Sequence, residues 1–456
     1  MMGKKGGLSA PASSEGGLIP RPDNRPLARQ HYGLGIVSLF CRLVLEARTS
    51  LAGASAVLAI FFPDWDAQGE IPHPTTGRGW LLRLGLFKLQ RPKTPANDWV
   101  WLVDHTVQLG KAKCLMIVGV RLSQLPPAGQ SLELQHLEPL AILPVDQSNQ
   151  RIVQKQLEAQ AVSSGVPRAI LSDEGSDLTG GVQLFRQKHR ETAGLSDISH
   201  YAARLLKRRL EKNDRWRAFC HQVGQTKFQT GQTELACLTP PRQRSKARFM
   251  NLDSLLSWAN RALGVLDQKP PSVLQYVTVG RLEEKFAWLR ECRLDLEQWS
   301  EFQRLAQVAI KLVRDEGYCA TTAQRLAERL CPLVSSEAGL QMQTELRQFV
   351  AQQSSAARPG ERLPGSSEIL ESSFGKLKSL EGDHQQGGFT QLVLSYAALL
   401  GETSSEVIGR ALEAVPIKQV WRWCRQHLGT TLQSQRVTVR HALQASSEAQ
   451  QKPEET

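Results

Sequence analysis

No stretch of this 456-residue chain is apolar for long enough to span a bilayer. The longest apolar run, Leu51 to Phe62, falls short of the roughly 18 residues a span requires. The amino terminus, Met1-Met2-Gly3-Lys4-Lys5, has basic residues but no apolar segment behind it, so a secretory signal is not expected. Cysteine is sparse. The eight residues (41, 114, 220, 237, 292, 319, 331 and 424) include no Cys-x-x-Cys pair, which argues against a zinc ribbon and a disulfide framework and for a reducing compartment. No internal repeat is visible. Acidic residues are also in deficit. There are 44 Asp and Glu against 56 Lys and Arg, giving a formal net charge of +12 in a chain otherwise of ordinary globular composition. Such a balance points to a polyanionic partner, either nucleic acid or an anionic membrane surface.

What is present divides the chain into segments. Residues 1–30, rich in Gly, Ser, Pro and Arg, read as a flexible leader. Three short helices are expected within 31–95, near Gly35–Arg48, Ser50–Phe62 and Thr75–Leu89. From Asp98 the pattern becomes mixed. Strands are predicted at Trp99–Asp104, Lys113–Leu122, Leu137–Val145 (weakened by Pro139), Arg168–Asp173 and Thr192–Ile198. Helices are predicted at Asn149–Ser164 and Leu178–His189. The order β-β-β-α-β-α-β is that of an RNase H-like α/β core, a mixed five-stranded sheet with flanking helices. Helical periodicity alone follows to about Val350, interrupted by a loop at Gln229–Arg248. A Ser-, Pro- and Gly-rich linker spans Gln353–Ser367, and more helix runs to His427. The expected division is a helix-turn-helix domain at 31–95, the first part of the core at 96–204, an α-helical insertion with its linker at 205–365, core completion with a catalytic helix at 366–430, and a tail at 431–456.

Two carboxylates end otherwise apolar strands. Asp104 lies on the first and Asp173 closes the fourth, and in such a sheet these strands are neighbours. Paired carboxylates suit Mg²⁺, and two such ions could activate an attacking oxygen and stabilise the leaving one at a phosphodiester. The plainer alternative is a loop-starting Asp and an Asp in a Ser-Asp-Glu-Gly turn. A third carboxylate should come from the helix at 367–380. With Leu370, Phe374 and Leu377 on its buried stripe, Glu371 and Lys378 fall together at the stripe's edge, while Glu368 turns towards solvent. Glu371 is therefore the better ligand, and Lys378, two turns on, is placed to meet a phosphate. His105 should point to the opposite side of its strand.

These residues, in the stretches WLVDHTVQLG, AILSDEGSDL, SDISHYAARLLKRRLEKNDRWRAF, PPRQRSKARFMNLD and SSEILESSFGKLK, give a chain that resembles a DDE transposase of bacterial insertion sequences, within the RNase H-like recombinase superfamily. The resemblance covers roughly residues 75 to 430. It implies a catalytic and metal-binding triad of Asp104, Asp173 and Glu371, two Mg²⁺ ions with Mn²⁺ as a substitute, and the spacing of Glu371 to Lys378. Positions held by Tyr and Arg before the Glu in one such family are Pro364 and Ser367 here. A further match is Asp197-Ile198-Ser199-His200, similar to the Cys or Asp, two residues, then His of transposases with a helical insertion. Both Asp197 and His200 are thus candidate catalytic residues. The alternative is an N-cap Asp before an ordinary first-turn His.

The insertion would open on a basic face running from Arg204 to Arg217, followed by Arg242, Arg244, Lys246 and Arg248, which are candidate phosphate contacts. Trp258, Trp288 and Trp299 are candidates for stacking on an unpaired base. The third amino-terminal helix would be a recognition helix with Arg78 and Arg83 in the groove and Lys88, Arg91 and Lys93 continuing its basic edge. The resemblance implies binding of the element's terminal inverted repeats and of target DNA, cleavage and strand transfer, a homodimer or higher oligomer on DNA, no membrane partner, and a cytoplasmic, nucleoid-associated protein. An RNase H-like nuclease without strand transfer, or a non-catalytic DNA-binding derivative of a transposase, are the alternatives.

Overall fold

A computed structural model describes residues 30–63, 71–107, 113–145, 147–243, 249, 252–381, 390–428 and 432–450. Five strands form one sheet: β1 (Trp99–Val107), β2 (Lys113–Arg121), β3 (Glu138–Val145), β4 (Ala169–Ser172) and β5 (Ala193–Ser196). Their order is β3-β2-β1-β4-β5. β2 runs antiparallel to β1 and β3, whereas β1, β4 and β5 are mutually parallel. The register of β3 slips against β2 between Ile117 and Val118, where Pro139 pairs with Val118 and Leu140 is passed over. Proline cannot donate to the ladder, and the bulge accommodates it.

Helices cover both faces of the sheet, so the central strands are apolar on both sides. On one face Trp101, Val103, Leu115, Ile117 and Ile170 pack with residues of α4 (Gln150–Ser164) and α5 (Ser176–Lys188), which follow α1 (Leu34–Leu45), α2 (Leu51–Phe61) and α3 (Pro74–Gln90) in the chain. On the other face Val100, Leu102, Met116, Leu171 and Leu195 join a larger core. That core takes in α6 (Ile198–Leu210), α7 (Asp214–Thr230), α8 (Asp253–Gln268), the short α9 (Pro271–Leu274), α10 (Val279–Phe286), α11 (Arg293–Glu316), α12 (Thr322–Leu330) and α13 (Glu337–Ser354). It also takes in α14 (Glu368–Glu381), α15 (Val393–Leu399) and α17 (Ile417–His427), which flank α16 (Ser405–Ala414). The helix α18 (Leu432–Gln450) ends the described chain.

The three amino-terminal helices form close to their expected bounds, but most of α3 is packed into the core, which leaves little of it free to enter a groove. Trp80, Leu81, Leu82, Arg83, Leu84, Gly85, Leu86 and Lys88 are all buried, so only the first turns, with Thr75 and Arg78, and the last residue keep open surface. The helix is wedged among α1, α2, α15, α16, α17 and β3. Gly85 makes this wedge possible, because a Cβ there would lie 1.9 Å from the Leu394 carbonyl oxygen. The apolar cluster of α1–α3 is completed by Ala398, Leu399, Ile408, Ala411 and Leu412, so residues 31–95 do not enclose a core of their own.

Candidate active site

The site is built on the sheet, from within β1 and from the residues that follow β4 and β5. On β1, Asp104 continues the row Val100 and Leu102; on β4, Asp173 continues the row of Leu171; on β5, Asp197 continues the row of Leu195. Alternation along a strand therefore aims all three at the same face. Val103 pairs with Ser172, so one step further Asp104 stands beside Asp173. His105 takes the opposite face, where Nδ1 lies 3.9 Å from Asp177 Oδ2. Asp177 also faces Lys113 at 3.4 Å. His105 thus lies away from the carboxylates.

Asp104 is buried, and its carboxylate accepts from the His105 N–H at 2.6 Å. Burial first, then the neighbouring charge of Asp173, with Glu371 adding to it, pushes its carboxyl up to about 7. The Asp173 carboxylate caps the turn before α5, accepting from Gly175 N–H at 3.0 Å.

The third carboxylate arrives on α14, whose Leu370, Phe374 and Leu377 are buried in the core. This is the stripe read from the sequence, and it leaves Glu371 at the edge with its side chain 41 % exposed. Partial burial raises its pKa, while the His200 cation opposes the rise. Glu371 Oε1 lies 3.5 Å from His200 Nε2, and His200 Nδ1 lies 3.3 Å from Asp197 Oδ1. Burial disfavours the charged imidazole, but Asp197, Glu371 and Asp173 outweigh it and push His200 up to about 9. His200 is therefore a cation at neutral pH, set between two carboxylates. Glu368 is used elsewhere: it accepts from Ser199 Oγ at 3.1 Å and from Arg314 at 3.3 Å.

Asp197 is fully buried and does not reach the open face of the site, so the expectation of a catalytic Asp197 is corrected to a structural one. Its Oδ1 accepts from the His200 N–H at 2.8 Å, and its Oδ2 from both the N–H and the Oγ of Ser367, the latter at 2.9 Å. Burial pushes the carboxyl up, but the His200 imidazole, by hydrogen bond and by charge, and then the Ser367 and His200 N–H groups hold it below its ordinary range. Ser367 was missed by the sequence reading. The run Ser366-Ser367-Glu368 before an apolar stripe signals a helix start, but not the partner across the fold.

The site's chemistry is that of hard oxygen donors, with Asp104 short of hydrogen-bond donors and repelled by Asp173. This fits a divalent cation at the aspartate pair. Among the described residues, however, no three His, Cys, Asp or Glu side chains are close enough together to hold a metal ion, and Glu371 lies against His200.

The expected DNA contacts fare unevenly. Arg83 is corrected outright. It is buried, donates to the carbonyls of Val415 (2.6 Å) and Leu412, and so ties α3 to α16 rather than entering a groove. Lys88 is likewise buried, and Arg91 and Lys93 pair with Glu138. Arg78 lines a cleft of about 500 Å³ with Thr75, Thr76, Tyr32 and Trp421. The basic face of α6 and α7 is largely neutralised. Arg204 pairs with Glu174, Arg208 and Arg209 with Glu345, and Arg215 with Asp295. Trp258 and Trp299 are core residues, and the indole N–H of Trp288 donates to Thr226 and to the Lys285 carbonyl, so none is a free stacking platform. Lys378 is exposed on the α14 surface. Arg242 is described, whereas Arg244, Lys246 and Arg248 lie outside the described residues. Among the described residues no helix is long and apolar enough to cross a membrane.

No family model matches the chain, and no curated protein matches it. Among solved structures the chain is similar to the Drosophila P element transposase strand transfer complex, with 12 % sequence identity over 84 % of this chain and 93 % of that one, at a TM-score of 0.39.

Proposed function

We propose that this protein is a transposase of the DDE type, which cuts and joins DNA with a divalent metal at an RNase H-like core. The observation that carries this reading is Asp104 on β1 standing beside Asp173, which directly follows the parallel β4, with Glu371 of α14 close enough to add to their charge. The strand order β3-β2-β1-β4-β5, with β2 alone antiparallel to its neighbours β1 and β3, supports the RNase H-like assignment.

Asp104 and Asp173 are the residues that would hold the metal, and Glu371 would join them only by turning away from His200. Bound there, Mg²⁺ would activate an attacking oxygen and stabilise the leaving one. The protein's own part is to keep two like charges together in a half-dry setting, at a cost that a cation relieves. His200, whose pKa Asp197 and Glu371 push up, would offer a positive charge to a phosphate rather than a base to a water. The net charge of +12 supports a DNA partner, namely the terminal inverted repeats of its own element.

Asp104→Asn, Asp173→Asn and Glu371→Gln should each lower single-turnover cleavage of flanking-end DNA in Mg²⁺ by at least about 100-fold while leaving DNA binding within about threefold. Glu368→Gln should do neither. Labelled end DNA mixed with a target plasmid reads strand transfer in the same tube. Cleavage that survives Asp104→Asn and Asp173→Asn would reject the reading, and cleavage without joining would reduce it to a nuclease.

A further inference from the structure

The segment returning from the helical insertion meets the sheet at one junction. Tyr318 and Leu363 form an isolated antiparallel bridge with mutual N–H to carbonyl bonds of 2.7 and 2.9 Å. Tyr318 is fully buried, and its hydroxyl donates to the Ser196 carbonyl at 2.9 Å, at the end of β5. Ile198 N–H donates to the Gly365 carbonyl at 3.1 Å. Ser199 Oγ reaches Glu368 at 3.1 Å. In the middle lies Asp197, whose one carboxylate serves the first turn of α6 through the His200 N–H and the start of α14 through the Ser367 N–H and Oγ. Helix starts leave N–H groups without intrahelical partners, and here a single buried carboxylate supplies two such starts from different parts of the chain.

The consequence is geometric. His200 is three residues along α6 from this carboxylate, and Glu371 is four residues along α14 from Ser367, about one turn in each case. Fixing both starts to one anion fixes the rotation of the two helices relative to each other. That rotation brings His200 Nε2 to 3.5 Å from Glu371. We infer that Asp197 is a positioning residue: with Ser367 it forms a clamp that sets α14, and so Glu371, against α6 and the aspartate pair, and that ties this setting to the docking of the helical insertion. The inference rests on the transposase reading for its functional consequence, but the clamp itself does not.

The test uses the full-length protein without DNA or metal, followed by DNA cleavage. Hydrogen–deuterium exchange of the amides at 368–374 should rise about tenfold in Ser367→Ala and more in Asp197→Asn, because one or more charge-assisted bonds are lost, while exchange in β1 and β2 stays unchanged. In Glu371→Gln the same amides should keep wild-type exchange. Ser367→Thr keeps the hydroxyl and should restore protection. For cleavage, Ser367→Ala should lower the single-turnover rate about tenfold or more at unchanged DNA affinity, with Ser367→Thr near wild type. Unchanged exchange at 368–374 in Ser367→Ala would overturn the clamp, as would a rise spread evenly over the molecule, since that would mark ordinary structural support. Should Asp197→Asn fail to fold, Ser367→Ala alone decides. Wild-type protein that cuts no DNA would reject the functional reading, while the exchange result would still decide the clamp.

Discussion

His200, half-buried, and Lys88, fully buried, are both basic groups withdrawn from water, yet they have opposite fates. His200 sits between carboxylates that raise its pKa to about 9, with its side chain still 28 % exposed towards the site. His200→Ala removes a charge from that opening, and single-turnover cleavage should fall about 100-fold or more, within the range for a positioned proton-bearing group. Melting temperature and cleavage rate measured on one preparation separate this from a merely structural role, and normal cleavage would remove His200 from the site. Lys88 has no exposed surface and faces neutral acceptors, the carbonyls of Ala398, Leu400 and Gly401 and the Thr403 hydroxyl. Burial lowers its pKa to about 7. Between about pH 7 and 10 the unfolded chain holds this proton more firmly than the folded one, so folding gains from rising pH in that window. The gain has a slope of at most about 1.4 kcal/mol per pH unit. Below pH 7 both states are protonated, and the cost of burying the charge is constant. Lys88→Met should lack this slope. Urea unfolding of both proteins at pH 7 and pH 9 checks it, and equal slopes would show that Lys88 remains charged in the fold.

At the scale of elements, α3 decides how the amino-terminal region works. Two of its three glycines, at 79 and 85, look alike in the sequence but have opposite surroundings. A Cβ at Gly79 would meet only Ile417 Cδ1 at 3.8 Å, an ordinary contact. Gly79→Ala should therefore stabilise by about 0.5–1 kcal/mol through helix propensity. A Cβ at Gly85 would collide with the Leu394 backbone. Gly85→Ala should destabilise by about 3 kcal/mol or more, since neither helix backbone can yield cheaply. Chemical denaturation of the two variants gives the sign of each change. Similar effects at both sites would mean that α3 and α15 are not in such close contact.

At the scale of the whole molecule, sheet and insertion share one apolar core: Leu102 and Leu171 of the sheet and Trp216, Trp299 and Leu312 of the helical block belong to a single cluster. Such continuity favours joint unfolding. Far-ultraviolet circular dichroism and tryptophan fluorescence should give coincident melting transitions, and two separated transitions would show that the insertion is an independent domain. A fragment of residues 31–95 should be unfolded by itself, as it lacks Ala398, Leu399, Ile408, Ala411 and Leu412 from its core. DNA affinity should fall with salt, but less steeply than the count of basic residues implies, because much of the α6–α7 positive charge is paired with Glu174, Glu345 and Asp295.

Strand order along the chain, the three amino-terminal helices and the stripe of α14 were legible in the sequence, because alternation and 3.6-residue periodicity are local properties of the chain. The alternation that puts Asp104 on the same face as Leu102 was legible too, whereas the expectation that Glu368 turns further to solvent than Glu371 was not met, since Glu368 is held by Ser199 and Arg314. Local pattern could not say which charges find partners. Arg83 and Arg78 share a helix and a residue type, and only the arrival of Leu412 and Val415 from the far end of the chain buries the first. Asp197 likewise looked like a helix cap or a catalytic acid, and became a clamp because Ser367 approaches it from 170 residues away. Periodicity fixes which way a side chain points from its own element; what it meets there depends on elements distant in sequence, and this only the tertiary structure decides.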